Sequence, residues 1–262
     1  MSNLVRSERD ARGVATLWLA RADKHNALNP EMLGALEEAA AALGANPDVR
    51  VVVLAAEGPT FCAGGDLAWF RSQAEMDGAT RTVESRRIAT ALKALADLPQ
   101  PLIGRVQGNA FGGGVGLACV CDVTIGADGV KMGLTETRLG VIPANIGPYV
   151  IARMGGNRAR EVFMSSRVFG AEEAVRLGIL NRVVAGDALD AAIEAEVVPY
   201  LSCAPGAVRD AKALLRALSG TVTEAQVDSA IDALAARWDS AEAAEGLAAF
   251  FEKRQPSWTV EG

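Results

Sequence analysis

The sequence predicts an α/β fold followed by a helical C-terminal region. Strand-type runs, glycine-rich loops and helical patterns alternate up to about residue 190, and the pattern from Asp187 to Arg254 is helical throughout. Such alternation is typical of an α/β core, and a run of helices without strands is typical of an appendage. Half of the 262 residues are hydrophobic and 22% are charged, as in ordinary globular proteins. We therefore predict a core over residues 1–195 and a helical region over residues 196–262.

The first part of the core predicts strands on both sides of one helix. Asn29, Pro30 and Glu31 are typical of a helix start, because asparagine caps the first turn, proline is tolerated at its first position and an acid suits its positive end. This helix should extend to about Gly44. The predicted strands around it are Leu4–Glu8, Val14–Leu19 and Val49–Leu54.

The remaining core repeats the order of strand, loop and helix. A helical pattern runs from Asp66 to Leu98 and is interrupted at Asp77–Gly78. The predicted strands that follow are Leu102–Val106, Asp122–Ala127, Val130–Leu134 and Leu180–Val184, and the predicted helices end near Cys119, span Arg158–Met164 and span Ala171–Leu177.

Two glycine-rich loops, at residues 61–67 and 108–116, follow two of the predicted strands. Consecutive glycines are costly to order, so they are expected where a backbone must approach a ligand closely. Two preorganised N–H donors would stabilise negative charge that develops on a thioester oxygen. If each loop opens a helix, Ala63 and Gly113 are the natural donors. A single loop of this kind more often only turns the chain.

Glu136 is the candidate proton carrier. It follows the third strand-like piece, in the segment Gly133–Gly140. Taken alone, the acid is better explained as a helix cap, because Thr135 and Glu136 precede an apolar segment. Its position after two loops that present backbone donors favours general acid–base catalysis instead.

Other kinds of site fit the sequence poorly. The spacing of Gly112, Gly114 and Gly116 is GxGxG rather than the GxGxxG of a dinucleotide site, and no acid about 20 residues further on stands out as a partner for a ribose. We expect no metal centre and no Cys–His nucleophile, because the chain has one histidine, His25, and four cysteines without CxxC spacing.

Charge and hydropathy also restrict the partners. A net charge of −6 disfavours nucleic acid, which requires a basic surface. No uncharged apolar run approaches the ~20 residues of a membrane helix, and the first ten residues contain no signal-peptide apolar region. We therefore expect a cytoplasmic protein with reduced thiols and neither nucleic acid nor membrane as a partner.

At these motifs the chain resembles the crotonase family, the enoyl-CoA hydratase/isomerase superfamily. The resemblance covers residues 21–28, 61–67, 108–122, 133–143 and 250–258. It implies a ββα superhelix with a C-terminal helical trimerisation region, in a homotrimer or a dimer of trimers. It also implies an acyl-CoA substrate whose thioester oxygen meets the N–H groups of Ala63 and Gly113, with coenzyme A as part of the substrate and no separate cofactor.

The resemblance further implies a set of substrate-binding residues. Ala22, Lys24 and the loop Ala63–Asp66 would line the coenzyme A site, and Phe250 and Lys253 would reach the coenzyme A of a neighbouring subunit. The full set of expected substrate contacts is Ala22, Lys24, Ala63, Gly64, Gly65, Asp66, Leu67, Gly112, Gly113, Gly116, Pro143, Phe250 and Lys253.

One position departs from the common pattern of the family. Hydratases with two catalytic glutamates carry the second acid at the position of Gly116, so only Glu136 remains in this sequence. The segments AFGGGVGL and TETRLGVIPANIGPYV resemble bacterial methylglutaconyl-CoA and isohexenylglutaconyl-CoA hydratases. A glutaconyl substrate carries its own carboxylate, which a second glutamate would repel, and we expect Gly116 to leave room for a branch. The alternatives are an enoyl-CoA isomerase with one proton carrier and a weakly catalytic acyl-CoA-binding paralogue.

Overall fold

Two β-sheets form the centre of the molecule in the computed structural model, which describes residues 4–259. The strands of the larger sheet, in their spatial order, are β1 (Val5–Arg9), β2 (Val14–Leu19), β3 (Val51–Ala56), β5 (Leu102–Val106), β7 (Val123–Ala127) and β10 (Arg182–Val184). The strands of the smaller sheet, again in spatial order, are β4 (Thr60–Cys62), β6 (Asn109–Phe111), β8 (Lys131–Gly133) and β9 (Val168–Gly170).

Ten α-helices surround the two sheets in the described part of the chain. They are α1 (Pro30–Ala45), α2 (Leu67–Ala74), α3 (Gly78–Ala96), α4 (Gly113–Cys119), α5 (Gly147–Ala159), α6 (Ala171–Arg176), α7 (Leu189–Leu201), α8 (Pro205–Ser219), α9 (Glu224–Trp238) and α10 (Ala241–Phe251). The predicted start of α1 is confirmed, since Asn29 Oδ1 accepts a hydrogen bond from the N–H of Met32 at 2.9 Å.

The repeating unit is a strand of the large sheet, a strand of the small sheet and a helix. The strands β3, β5 and β7 are parallel neighbours, and so are β4, β6 and β8. All six residues of β3 are buried, as expected for a parallel strand that is covered on both faces. This arrangement is the predicted α/β fold with a ββα superhelix.

Two predictions for the core need correction. The sequence does not predict the small sheet, because β4 and β6 have three residues each and lie inside or beside the segments interpreted as loops. The helix predicted at Arg158–Met164 is wrong, since α5 ends at Ala159. Gly155 has φ 74° and ψ 150° inside α5, so the helical path is broken before the predicted helix begins.

The C-terminal helices pack onto the core. Apolar side chains of α9 and α10, among them Leu234, Trp238 and Leu247, form a second buried cluster with Val141 and Ala144. The boundary predicted at residue 195 falls inside α7, and residues 260–262 of the predicted helical region lie outside the described residues. Within residues 4–259, every helix is too short or too polar to traverse a lipid bilayer.

Candidate active site

A pocket of about 420 Å³ lies where the two glycine loops, the turn with Glu136 and the C-terminal helices meet. Its size is within the range of small-molecule sites. It is lined by Ala63, Gly64, Gly65, Leu67, Trp69, Phe70, Gln73, Ser85, Ile88, Phe111, Gly112, Gly113, Thr135, Glu136, Arg138, Leu139, Val141, Ile142, Pro143, Asn145, Ile146, Val168, Leu234, Trp238 and Phe250. The predicted loops and the predicted acid therefore share one cavity.

The two glycine loops pack backbone against backbone at one end of this pocket. Gly64 has φ +97°, and a β-carbon there would lie 3.0 Å from the carbonyl oxygen of Phe111 and 3.8 Å from the nitrogen of Gly113. A β-carbon on Gly114 would lie 2.4 Å from the carbonyl oxygen of Cys62. Side chains at these positions would force the loops apart, which explains the glycine content that the sequence shows.

The N–H groups of these loops differ in availability. Gly113 is the first residue of α4, and neither its N–H nor that of Gly64 has an acceptor among residues 4–259. The N–H of Ala63 donates to the carbonyl oxygen of His25 at 3.0 Å. The sequence predicted that the Ala63 N–H is an open donor. In this structure it is not, because the carbonyl oxygen of His25 accepts its hydrogen bond. Among the glycines of the two loops that line the pocket, the N–H groups of Gly64, Gly65 and Gly113 have no acceptor in the described chain.

Glu136 is half-buried, and its Oε2 has neither solvent contact nor a hydrogen-bond partner within the described chain. Burial raises the pKa of Glu136 to about 7, against a smaller opposing effect of its own backbone N–H. A β-carbon on Gly112 would lie 2.9 Å from Glu136 Oε1, so the carboxyl group lies directly beside the second glycine loop. A carboxyl group with this pKa can both accept and donate a proton near neutral pH.

The turn that carries Glu136 is held from two sides. Ser166 Oγ accepts a hydrogen bond from the N–H of Arg138 at 3.0 Å and lies 2.6 Å from Thr137 Oγ1. Arg237 Nε of α9 donates to the carbonyl oxygen of Gly140 at 2.7 Å. The capping alternative is not supported, because α5 begins only at Gly147 and Glu136 itself starts a 3-10 turn.

Several predicted substrate residues do not line this pocket. Ala22 and Lys24 form a 3-10 turn elsewhere, and Lys253 is exposed after α10. Asp66 caps α2 through the N–H groups of Ala68 and Trp69, and its carboxylate pairs with Arg21 at 2.6 Å. The geometry thus gives Asp66 a structural role in holding the first glycine loop.

Phe250 and Gly116 lie differently from what the sequence suggested. Phe250 lines the pocket of its own chain, because α10 packs on the Glu136 turn, whereas the resemblance implied a contact with the coenzyme A of a neighbouring subunit. Gly116 is buried outside the pocket lining. A β-carbon on it would lie 2.7 Å from Ile146 Cγ2 and 2.9 Å from Leu92 Cδ1. The expectation that Gly116 leaves room for a substrate branch is therefore wrong.

The sequence reasoning missed the polar groups that α2, α3 and α9 contribute to the pocket lining. Gln73 of α2 and Ser85 of α3 are both buried, and Trp238 comes from α9. Each residue is unremarkable within its own helical pattern. They come together only because α9, which is far along the chain, packs on α3, so no local signal identifies them.

The raised pKa of Glu136 makes stability depend on pH. Between the ordinary carboxyl pKa and about 7 the folded state keeps a proton that the unfolded state releases, so the free energy of unfolding falls as pH rises. Glu136→Gln removes this dependence. Relative to wild type, we expect the variant to gain ~2–3 kcal/mol between pH 5 and pH 8, measured by urea denaturation. A constant difference between the two proteins would show that the carboxyl group is solvated.

Known proteins that are similar in sequence and structure are enoyl-CoA hydratases. The sequence profile of the enoyl-CoA hydratase/isomerase family matches residues 9–261. The mitochondrial methylglutaconyl-CoA hydratase of Mus musculus is 34% identical over 267 residues, which cover 97% of this chain and 82% of the mouse protein. A solved enoyl-CoA hydratase from Shewanella pealeana is 36% identical with a TM-score of 0.79, covering 97% of this chain and 96% of that one. Another from Mycobacterium smegmatis is 35% identical with a TM-score of 0.80, covering 98% and 99%.

Proposed function

The chain belongs to the enoyl-CoA hydratase/isomerase family, and we propose that it hydrates a 3-methylglutaconyl-CoA-like thioester with Glu136 as its single acid/base. Activity of the enoyl-CoA hydratase type on an acyl-CoA makes it a lyase. The observation that carries the finer proposal is the buried Glu136 carboxyl group, with its pKa of about 7, beside the open N–H of Gly113.

In the proposed mechanism the thioester oxygen accepts a hydrogen bond from the N–H of Gly113 and a second one from the loop of residues 63–65. The Glu136 carboxylate takes a proton from water as the water oxygen bonds to the β-carbon of the double bond. The electron pair of the double bond moves to the thioester oxygen, whose charge the backbone donors stabilise. The protonated Glu136 then delivers its proton to the α-carbon, which restores the carboxylate. One acid suffices because it takes and returns the same proton.

The substrate proposal rests on the single acid and on relatives of known name. The mouse protein that is 34% identical is named a methylglutaconyl-CoA hydratase. Two glutamates and a substrate carboxylate in one pocket would repel one another, and each would raise the pKa of the others. The test is the steady-state kcat/KM for 3-methylglutaconyl-CoA and for crotonyl-CoA. A preference for crotonyl-CoA would contradict the substrate proposal and leave the hydratase class intact.

Gly116 and Ile146 allow a sharper test of the single-acid site. Because Ile146 and Leu92 fill the space beside Gly116, we expect Gly116→Glu alone to cost ~1–3 kcal/mol or more in the free energy of unfolding. We also expect it to give no gain on crotonyl-CoA. Adding Ile146→Gly should relieve the overlap with Ile146 and raise crotonyl-CoA turnover above that of the Ile146→Gly control. If Gly116→Glu alone is stable and more active on crotonyl-CoA, the packing argument fails.

Enoyl-CoA isomerisation is the second candidate, because it too needs one proton carrier. The two reactions differ in their use of water, so incubation in ¹⁸O-water separates them: a hydratase product contains the label and an isomerase product does not. Glu136 also argues against a paralogue that only binds acyl-CoA, since a buried carboxyl oxygen without a partner in the described chain, Oε2, is costly to keep without a use. Absence of turnover with every enoyl-CoA, despite binding, would favour that paralogue.

We also propose that coenzyme A lies near Ala22, Lys24, Asp66 and Lys253, outside the acyl pocket.

We further propose that the protein assembles as a homotrimer or a dimer of trimers. Support for assembly comes from exposed apolar side chains, including Leu214, Leu215 and Leu218 at 59%, 64% and 79% exposure, which is unusual for three neighbours on one helix. Light scattering at micromolar concentration should give three or six subunits, and a monomer with full activity would contradict the assembly.

A further inference from the structure

The pocket wall formed by α2, α3 and α9 carries polar groups that the hydration step does not use. Gln73 and Ser85 are 3% and 2% exposed, and the Ser85 hydroxyl donates to Gln73 Oε1 at 3.2 Å. The carbonyl end of the Gln73 amide is thereby occupied. Its NH₂ group has no acceptor in the described part of the molecule, although Gln73 lines the pocket. The Gln73 amide is thus fixed at its oxygen, while its NH₂ group remains unpaired.

Trp238 supplies a second unpaired donor on the same wall. The residue is 7% exposed, and its Nε1 has neither a hydrogen-bond partner nor solvent contact among residues 4–259. Trp69 lines the same pocket but donates its Nε1 proton to Glu84 Oε2 at 3.0 Å. Buried indole N–H groups are normally paired in this way. The Nε1–H of Trp238 is thus an unpaired donor on a residue that lines the pocket.

A positive charge lies directly behind both donors. Arg81 Nε donates to the backbone carbonyl of Gln73 at 2.9 Å, and the Arg81 guanidinium carbon lies 5.5 Å from the centroid of the Trp238 ring. The Arg81 side chain is 12% exposed, whereas its acidic partner Asp239 is 70% exposed. Solvent weakens the effect of the partner carboxylate more than that of the buried guanidinium. The cation is thus the more buried member of this ion pair and lies next to both donor residues.

We propose that Gln73 Nε2 and Trp238 Nε1 bind a carboxylate at the far end of the acyl group, with Arg81 as the charge behind them. This inference rests on the proposed function and deepens it, because the wall formed by α2, α3 and α9 would then select the class of substrate. An acyl group that ends in a methyl group would leave both donors desolvated and unpaired, and sites of this kind reject such analogues strongly. A carboxylate satisfies both donors, and its charge is stabilised by Arg81.

The test compares two thioesters of matched shape, 3-methylglutaconyl-CoA and 3-methylpent-2-enoyl-CoA, in which a methyl group replaces the carboxylate. Gln73→Met removes the Nε2 donor and Trp238→Phe removes the Nε1 donor, and each puts an apolar side chain of similar size in its place. For each variant we expect kcat/KM on the carboxylate substrate to fall about 10–100-fold, the loss typical of a hydrogen bond to a charged group. The value on the methyl analogue should stay within a few-fold of wild type.

Trp18→Phe is the matched control, because Trp18 Nε1 is also buried and unpaired but lies on β2, outside the pocket lining. It should leave the ratio of the kcat/KM values for the two thioesters unchanged.

Two outcomes would contradict the inference. One is that Gln73→Met leaves the ratio of kcat/KM values unchanged. The other is that Arg138→Gln, which removes an exposed cation of the pocket lining, abolishes the preference for the carboxylate. If Trp238→Phe does not fold by circular dichroism, Gln73→Met alone decides. Wild-type enzyme that hydrates neither thioester contradicts the proposed function rather than this inference.

Discussion

Glu136→Gln should lower kcat on the preferred enoyl-CoA by about 100–10,000-fold, the usual contribution of general acid–base catalysis. The glutamine keeps the shape of the buried carboxyl group beside Gly112 but neither accepts the water proton nor returns it to the α-carbon. The Kd of a saturated acyl-CoA should stay within a few-fold of wild type, because the proposed binding contacts are the backbone loops and the coenzyme A site. Stopped-flow turnover and calorimetric binding measure the two quantities.

The pH profile provides an internal control for this variant. Because the base must be ionised and burial raises the pKa of Glu136 to about 7, wild-type kcat/KM should rise with pH through that value. The residual kcat/KM of Glu136→Gln should not show this rise with pH. If the variant keeps most of its turnover and its kcat/KM still rises with pH near 7, another group carries the proton and the single-acid assignment is wrong.

Features with a local chemical cause could be predicted from the sequence. The cap at Asn29 and the break near Asp77 and Gly78 follow from side-chain and backbone chemistry within a few residues, and both are found in the structure. The glycine loops carry a similarly local signal, because a backbone that packs against backbone, as at Gly64, tolerates no side chain. Glu136 could be chosen because it follows a predicted strand beside those loops.

Features that depend on contacts between distant segments could not be predicted. Whether the Ala63 N–H is free depends on the position of the His25 carbonyl, which accepts its hydrogen bond. A sequence pattern does not contain that position. Gly116 is a related case: its neighbour Ile146, 30 residues further along the chain at the start of α5, fills the space. A missing side chain in a sequence therefore does not by itself imply an empty volume in the fold.

Gly113→Pro is expected to lower kcat by about 100–1,000-fold, in line with loss of one donor to a developing oxyanion. Gly113 is the first residue of α4, where proline is tolerated and where the N–H has no partner to lose in the described structure. The variant should therefore fold, and its defect should lie in the chemical step.

Gly113→Ala is the matched control, because it adds the same β-carbon, 2.7 Å from Leu28 Cδ1, but keeps the N–H. The flexible end of Leu28 can move, so the alanine variant should lose far less activity than the proline variant. Thermal unfolding and binding of a saturated acyl-CoA verify that both variants are folded and competent to bind. Equal kcat values for folded proline and alanine variants would mean that the Gly113 N–H does not stabilise the transition state. Other donors would then have to stabilise the charge on the thioester oxygen, and the N–H groups of Gly64 and Gly65 in the adjoining loop have no acceptor within the described chain.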